Sequence, residues 1–344
     1  GAPITRDVTG EEYYSTIYSI RESPLEAGVI WVGANDGPVH VTRDGGESWE
    51  NVTPEGLEEG GRVDSVEPSP HQAGKAYVTI LRYQLGDWEP YIYRTENYGQ
   101  SWTRITDGIP TDFPVRVVRE DPDVEGILYA GTEYGMFVSL NDGAEWEAFQ
   151  QNLPVTPVTD IKVFRQDLLV STMGRSFWIL DDISPLHQMA QLEKATQAFL
   201  FKPENTIRYR YSDTDEDEIP YYPEAGVILD YYLAEAPKGD IKLDILDEDG
   251  QLIRRYSSAD PAHESEEETS MATGFTTKLG NEKLEATTGM HRFRWDMSHA
   301  GPWNASARQA FQGGPMVAPG TYQVRLTVDG DESVESVESF EVLP

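Results

Sequence analysis

Apolar and polar residues in the first half of the chain fall into short runs broken by Gly, Pro, Asn and Asp, and the runs recur. Val29-Ile30-Trp31-Val32-Gly33-Ala34-Asn35-Asp36-Gly37 and Ile127-Leu128-Tyr129-Ala130-Gly131-Thr132-Glu133-Tyr134-Gly135 share one plan: a buried strand, a Gly turn and a second strand. Residues 168–182 repeat it. Segments 15–21, 62–67, 115–119 and 158–164 predict a further strand ahead of each copy. After residue 185 the pattern changes. Residues 186–199 have helical apolar spacing without Gly or Pro, which predicts a connecting helix. Segments 226–234, 240–246, 251–257, 290–297, 320–328 and 336–343 then predict strands, with Asp247-Glu248-Asp249-Gly250 as a hairpin turn. Residues 258–288 are polar around Glu264-Ser265-Glu266-Glu267-Glu268 and read as a mobile acidic loop or a docking element.

A second pattern sits on the first. The form Ser/Thr-x-Asp/Asn-x-Gly-x-x-Trp occurs as Thr42-Arg43-Asp44-Gly45-Gly46-Glu47-Ser48-Trp49, Thr95-Glu96-Asn97-Tyr98-Gly99-Gln100-Ser101-Trp102 and Ser139-Leu140-Asn141-Asp142-Gly143-Ala144-Glu145-Trp146. The Trp-to-Trp spacings of 53 and 44 residues match a four-stranded propeller blade. At a hairpin turn, Asp44, Asn97 and Asn141 can accept backbone N–H bonds, and Gly46, Gly99 and Gly143 can take φ > 0. Trp49, Trp102 and Trp146 can fold back as apolar plugs, so all three are expected to be mostly buried. The motif, an Asp box, is therefore structural. The copy at 168–182 runs into Ile183-Ser184-Pro185 instead of a box, as the last blade would.

The expected fold is all-β: a partial Asp-box β-propeller of about four blades over residues 1–185, a helical linker at 186–199, and a β-sandwich over 200–344. Four such blades form an open arc, whose bare sheet faces call for missing chain or a partner.

Thr5-Arg6-Asp7-Val8-Thr9-Gly10, Trp31-Val32-Gly33 and Gly174-Arg175-Ser176-Phe177-Trp178-Ile179-Leu180-Asp181-Asp182 resemble the sortilin-like, BNR-repeat propellers of large bacterial proteins labelled glycosyl hydrolase. Met173 stands where that family has His. Gly289-Met290-His291-Arg292-Phe293-Arg294-Trp295-Asp296, taken with Val317-Ala318-Pro319-Gly320-Thr321-Tyr322-Gln323-Val324-Arg325-Leu326, resembles the immunoglobulin-like domain of flagellar hook-capping proteins. The second resemblance implies a module that binds or spaces. The first implies one of three roles: glycosidase, sortilin-type ligand receptor, or photosystem assembly or stability factor.

Charge narrows the partners. With 60 acidic against 27 basic side chains among 344 residues, the net charge of -33 repels phosphate backbones and anionic lipid, so nucleic acid is not expected. The acidic surface reads as solvated and salt-adapted, or as steering toward a basic partner or cation. The absence of cysteine removes disulfides and thiolate metal sites. No apolar run is long enough to span a bilayer, and Gly1 reads as a processed end that enters the middle of something longer.

The chemistry-bearing residues are few. The histidines lack zinc-site spacing. Asp213-Thr214-Asp215-Glu216-Asp217, with Glu224 at the twelfth position, opens like a calcium loop but does not complete one, because Glu218 replaces the turn Gly and Pro220 interrupts; a solvated acidic loop is the other reading. Glycoside hydrolysis needs two carboxylates facing one another, and Glu67, Glu120 and Asp160 are the candidates at innermost strands. Glu22, Glu67 and Glu120 stand before Ser-Pro, Pro-Ser-Pro and Asp-Pro turns, which reads as a repeat feature rather than a unique pair. A sialidase arginine triad cannot be assembled, since Arg-Ile-Pro is absent. The expected function is a noncatalytic, periplasmic or extracellular protein-binding or scaffold subunit of a larger complex, without cofactor or metal. The alternative is a glycoside hydrolase with paired carboxylates on the propeller face and carbohydrate as its ligand.

Overall fold

The computed structural model describes residues 16–192, 194, 197–208, 225–259, 267–269, 276–278, 283–300, 314–330 and 333–344. The chain divides into two compact units, the first ending at Ile183 and the second beginning at Ser184. Residues 5–10, which carry part of the propeller resemblance, and the acidic stretch 213–224 lie outside the described residues.

The first unit is a series of antiparallel blades, each a meander whose strands pair in chain order. Blade one holds β1 (Ile17–Glu22), β2 (Ile30–Ala34), β3 (Val39–Thr42) and β4 (Glu50–Asn51). Blade two holds β5 (Arg62–Pro68), β6 (Ala76–Leu81), β7 (Ile92–Thr95) and β8 (Thr103–Arg104). Blade three holds β9 (Val115–Glu120), β10 (Leu128–Thr132), β11 (Gly135–Ser139) and β12 (Glu147–Ala148). Blade four, with β13 (Val158–Phe164), β14 (Asp167–Thr172) and β15 (Phe177–Leu180), has three strands. The register repeats closely: each innermost strand shifts by one residue at the same place, between Ile17 and Ser19, Val63 and Ser65, Val115 and Val117, and Val158 and Asp160. Such a bulge adds local twist, and blades need that twist to fan around an axis.

Burial explains the apolar runs. β6 and β10 are buried along their whole length, so both faces of each must be apolar or self-satisfied. Between blades one and two, Trp31, Val39, Val41, Val52, Val63, Val66 and Val78 form one cluster. Tyr77, Ile92, Ile105, Val118, Leu128, Phe137 and Trp146 form the next, between blades two and three. Small residues permit the close approach: a Cβ on Gly131 would lie 2.6 Å from Val158 Cγ1 of the following blade.

The three boxes have one hydrogen-bond plan. The Thr42, Thr95 and Ser139 hydroxyls each accept the N–H of Gly46, Gly99 and Gly143 at 2.9 Å. Asp44 Oδ1 accepts the Ser48 N–H at 2.9 Å, Asn97 Oδ1 the Ser101 N–H at 3.0 Å, and Asn141 Oδ1 the Glu145 N–H at 2.9 Å. Gly46, Gly99 and Gly143 have φ of 98°, 81° and 80°, the left-handed region where a side chain is strained. Hydrogen bonds from the Ser48 side chain and backbone and from Thr42 hold the Asp44 carboxyl well below the usual carboxylate range.

The expectation that all three box tryptophans are buried needs correction. Trp146 is 2% exposed and Trp102 is half-buried, but Trp49 is 44% exposed. The cause lies in the neighbouring blade rather than in the motif. Trp146 donates its indole N–H to Ile105 O of blade two at 2.9 Å, and Trp102 donates to Val52 O of blade one at 2.6 Å. Among the described residues, no blade precedes Trp49.

The second unit starts with two single helical turns, α1 (Ser184–His187) and α2 (Met189–Leu192), in place of the continuous helix expected over 186–199. So short a stretch gains too few i→i−4 bonds to offset nucleation. The chain is already extended at β16 (Ala198–Leu200), followed by β17 (Thr206–Ile207), β18 (Val227–Leu233), β19 (Ile241–Asp247) and β20 (Leu252–Ser257). A hairpin of β21 (Glu267–Thr269) and β22 (Thr276–Lys278) forms inside the stretch expected as loop. Its Thr-rich sequence suits a strand. The unit closes with β23 (Gly289–Trp295), β24 (Gly320–Val328) and β25 (Val334–Leu343).

Two sheets, β16-β18-β23 and β17-β25-β24-β19-β20, share one buried cluster. At its centre Trp295 meets Tyr322 and Phe340 edge-on at 5.9 and 6.1 Å between centroids. Among the described residues no helix is long and apolar enough to cross a membrane.

Candidate functional site

The repeated register assigns every innermost-strand residue an equivalent. Arg21 pairs with Trp31, Glu67 with Tyr77, Arg119 with Tyr129 and Lys162 with Leu169, so these four charged residues occupy one position on successive innermost strands. All four line a groove of about 300 Å³, with Asp160 beside them and Pro24, Pro68, Pro70 and Pro122 around its rim.

Arg119 is the centre of the groove. Its Nη1 lies 3.2 Å from Glu67 Oε2 in blade two, and its Nη2 lies 2.7 Å from Asp160 Oδ1 in blade four. It also donates to Ser65 Oγ at 2.6 Å and to Ile161 O at 3.2 Å. One guanidinium thus ties three blades, which its planar fork of donors suits it to do. Burial pushes the Glu67 carboxyl up to about 7; Arg119 and Arg21 oppose the shift, and the nearby Asp160 and Glu120 reinforce it. Arg21 and Lys162 form no ion pair among the described residues. The groove therefore presents two cations outside any ion pair, Arg21 acting on Glu67 only through its charge, beside an Arg shared by two carboxylates.

The three candidate carboxylates do not form one set. Glu67 and Asp160 come together through Arg119; Glu120 lines the same groove but is buried, its carboxylate engaged by a turn of its own blade and by Lys75 of blade two. Its Oε1 accepts the Gly126 N–H at 3.2 Å and lies 3.7 Å from Lys75 Nζ. Glu22 does the same in blade one, accepting the Gly28 N–H at 2.9 Å. Glu22 and Glu120 occupy equivalent positions, and each accepts the N–H of a glycine six residues on. Glu67 is not their equivalent: Pro68 occupies that position, and Glu67 stands one residue earlier in the groove-facing place of Arg21 and Arg119. Reasoning from the sequence missed Arg21, Arg119 and Lys162. Aligning the innermost strands on their paired neighbours, rather than on the following Pro turns, finds all three.

No protein-family model matches this chain. A stretch of 112 residues is 30% identical to the oligoxyloglucan-reducing end-specific xyloglucanase of Emericella nidulans, covering 31% of this chain and 13% of that enzyme's length. Among solved structures, YCF48 from Cyanidioschyzon merolae aligns with 51% of this chain and 55% of its own at 18% identity and a TM-score of 0.38. YCF48 bound to D1 peptide aligns over 71% and 69% at 15% identity and a TM-score of 0.39. The GH74 xyloglucanase from Xanthomonas campestris aligns over 93% and 45% at 12% identity and a TM-score of 0.40.

Hydrolysis of a glycoside requires an acid and a second carboxylate on opposite sides of the scissile bond, with room between them for the sugar. Here the space between Glu67 and Asp160 is filled by the Arg119 guanidinium, which both carboxylates contact. What the groove offers instead is mixed charge: Arg21, Arg119 and Lys162 stand among Glu22, Glu67, Glu120 and Asp160, and Arg21 and Lys162 are the cations outside any ion pair among the described residues. Such an arrangement can hold an anionic group by charge-assisted hydrogen bonds.

Proposed function

We propose that this chain is a noncatalytic protein-binding or scaffold subunit, and that the blade groove receives a carboxylate-bearing segment of a protein partner. The observation that carries the reading is Arg119 bridging Glu67 and Asp160, which occupies the space between those two carboxylates. Arg21 and Lys162 stand ready on either side. Of the 27 basic residues in a chain of net charge -33, three share this position; four carboxylates also line the groove, so an acidic segment would bond locally to Arg21 and Lys162 rather than be drawn in by net charge. The second unit is read as an immunoglobulin-like module that binds or spaces. Placement in the periplasm or outside the cell rests on the resemblance to sortilin-like propellers.

The test is to purify the native protein, identify what travels with it, and measure binding of an Asp/Glu-rich peptide to the wild type and to Arg21→Ala/Lys162→Ala. A stable complex, peptide binding weakened at least tenfold by the double substitution, and no turnover of glycosides sustain the reading. A monodisperse monomer with glycosidase activity abolished by Glu67→Gln, Glu120→Gln or Asp160→Asn overturns it.

A second reading, glycoside hydrolysis, is favoured by one observation. A carboxyl raised to about 7 beside a more exposed one is how a general acid and its partner are told apart. The short match to the xyloglucanase makes oligoxyloglucan the substrate to try first.

A further inference from the structure

The blade-to-blade contact made twice inside the first unit is left half-made at its beginning. In each complete contact, the residue three places after one blade's box tryptophan enters the next blade's box. Val52 follows Trp49 by three and Ile105 follows Trp102 by three; both are buried. Their carbonyls accept the indole N–H of Trp102 and Trp146. Their side chains press on the box glycines: a Cβ on Gly99 would lie 2.8 Å from Val52 Cγ2, and one on Gly143 would lie 3.1 Å from Ile105 Cβ. The box is therefore a socket with three parts: a glycine without a Cβ, an indole N–H, and an aliphatic knob from the neighbour.

In blade one the socket is present and empty. Around Gly46 the nearest atoms are those of its own Trp49, at 3.9 Å or beyond. Trp49 is exposed, and its indole N–H has no acceptor among the described residues. The innermost strand repeats the finding. Ile17 is equivalent to Val63, Val115 and Val158, which are fully buried, yet it is 57% exposed. Ile20, equivalent to the buried Val66, Val118 and Ile161, is 60% exposed. The box glycine, the box tryptophan and two innermost-strand residues that later blades press against a preceding blade are thus displayed on blade one as Gly46, Trp49, Ile17 and Ile20, with no preceding blade against them among the described residues.

We infer that the Ile17–Ile20–Trp49 face of blade one docks a complete four-stranded Asp-box blade belonging to polypeptide other than residues 1–344. Only such a blade supplies a free carbonyl and an aliphatic side chain three residues after a tryptophan, in register with a strand that can receive Ile17 and Ile20. The fourth blade of a second copy does not fit. It has three strands among the described residues, and the chain after Leu180 turns back so that the Ile183 N–H bonds to Gln166 O, without an outer strand to carry the knob. The contact is distinct from the charged groove, so either can hold without the other.

The experiment places the photocrosslinker p-benzoylphenylalanine at the exposed Glu47, beside the socket, in the full chain in its native cells, and maps the crosslinked residue by mass spectrometry. The expected product joins position 47 to a residue within about two places of the third residue after an Asp-box tryptophan, in sequence outside this chain. Ile20→Asp in the same background should cut the crosslink at least tenfold while the purified chain keeps its melting temperature, since Ile20 is already in water. A crosslink to residues 1–15, to the 177–180 strand of a second copy, or to a protein lacking the Asp-box pattern overturns the inference. So does no crosslink, or an Ile20→Asp variant that crosslinks as well as the wild type.

Discussion

Arg119 Nη1 lies 3.2 Å from Glu67 Oε2, yet Glu67 keeps a carboxyl pushed up to about 7, so burial of this group outweighs the attraction of its neighbour. A charge desolvated at a blade junction costs more than one imperfect ion pair returns. The pair is consequently pH-sensitive: as Glu67 takes up a proton, Arg119 loses one of its two carboxylates and its positive charge turns toward the groove.

Stability should report that titration. A carboxyl whose folded value lies above its unfolded one binds more protons when folded, so its contribution falls as pH rises from about 4.5 to about 7 and is constant above. Glu67→Gln, neutral at every pH, should remove this slope. Denaturant unfolding at pH 5 and pH 8 should show a wild-type loss larger than the variant's by on the order of 2–3 kcal/mol. Parallel curves for the two proteins would mean that Glu67 is ionised throughout.

The box tryptophans should separate by neighbour rather than by motif. Trp146→Ala removes a buried ring and its bond to Ile105 O, and should cost about 3–5 kcal/mol. Trp49→Ala in the isolated chain should cost about 1–2 kcal/mol less than Trp146→Ala, because its ring is 44% exposed and its indole N–H has no acceptor among the described residues. Equal losses at the two sites in urea unfolding would contradict the role given to the preceding blade.

This contrast also shows what the sequence could and could not reveal. The boxes were legible because Asp44, Asn97 and Asn141 satisfy backbone groups within four residues of themselves, and a local motif carries its own geometry. The exposure of Trp49 was not, because a box tryptophan is covered by the preceding blade, which at Trp102 and Trp146 reaches it from 50 and 41 residues away. Asp160 and Glu67 were legible as acids on innermost strands, but Arg119, which joins them across 41 and 52 residues, was not. Glu67 was misaligned because the Pro turns after it invite a comparison one residue out of register, and a one-residue slip reverses the face of every side chain. In the second unit the long strands β18, β19 and β24 followed from alternation, whereas β16 and β17, of three and two residues, leave no period to detect.

The second unit has its own two-sheet core around Trp295, and its contacts separate at Ser184. Residues 184–344 expressed alone should therefore unfold in one cooperative transition with a β-type circular dichroism spectrum. Loss of near-ultraviolet signal without a transition would show that the core depends on the first unit.

The packing of blade on blade can be tested with a glycine whose backbone is unstrained. Gly131 lacks a positive φ, so replacing it by Ala introduces no conformational penalty beyond crowding. The new Cβ would stand 2.6 Å from Val158 Cγ1, 2.9 Å from Val158 Cβ and 2.7 Å from Val117 Cγ1, closer than carbon atoms pack. Gly131→Ala should thus destabilise by about 1–3 kcal/mol as blade four is forced outward. Val158→Ala alone leaves a void and should cost a similar amount. Combined, the first change fills part of the space the second vacates, so the double variant should be more stable than the sum of the singles by about 0.5–2 kcal/mol. The rescue should be partial, since the Cβ of residue 158 and the Val117 side chain both remain. Additive losses, to within about 0.3 kcal/mol in a denaturant double-mutant cycle, would show that Gly131 and Val158 do not press on one another and that blades three and four are held by Arg119 instead.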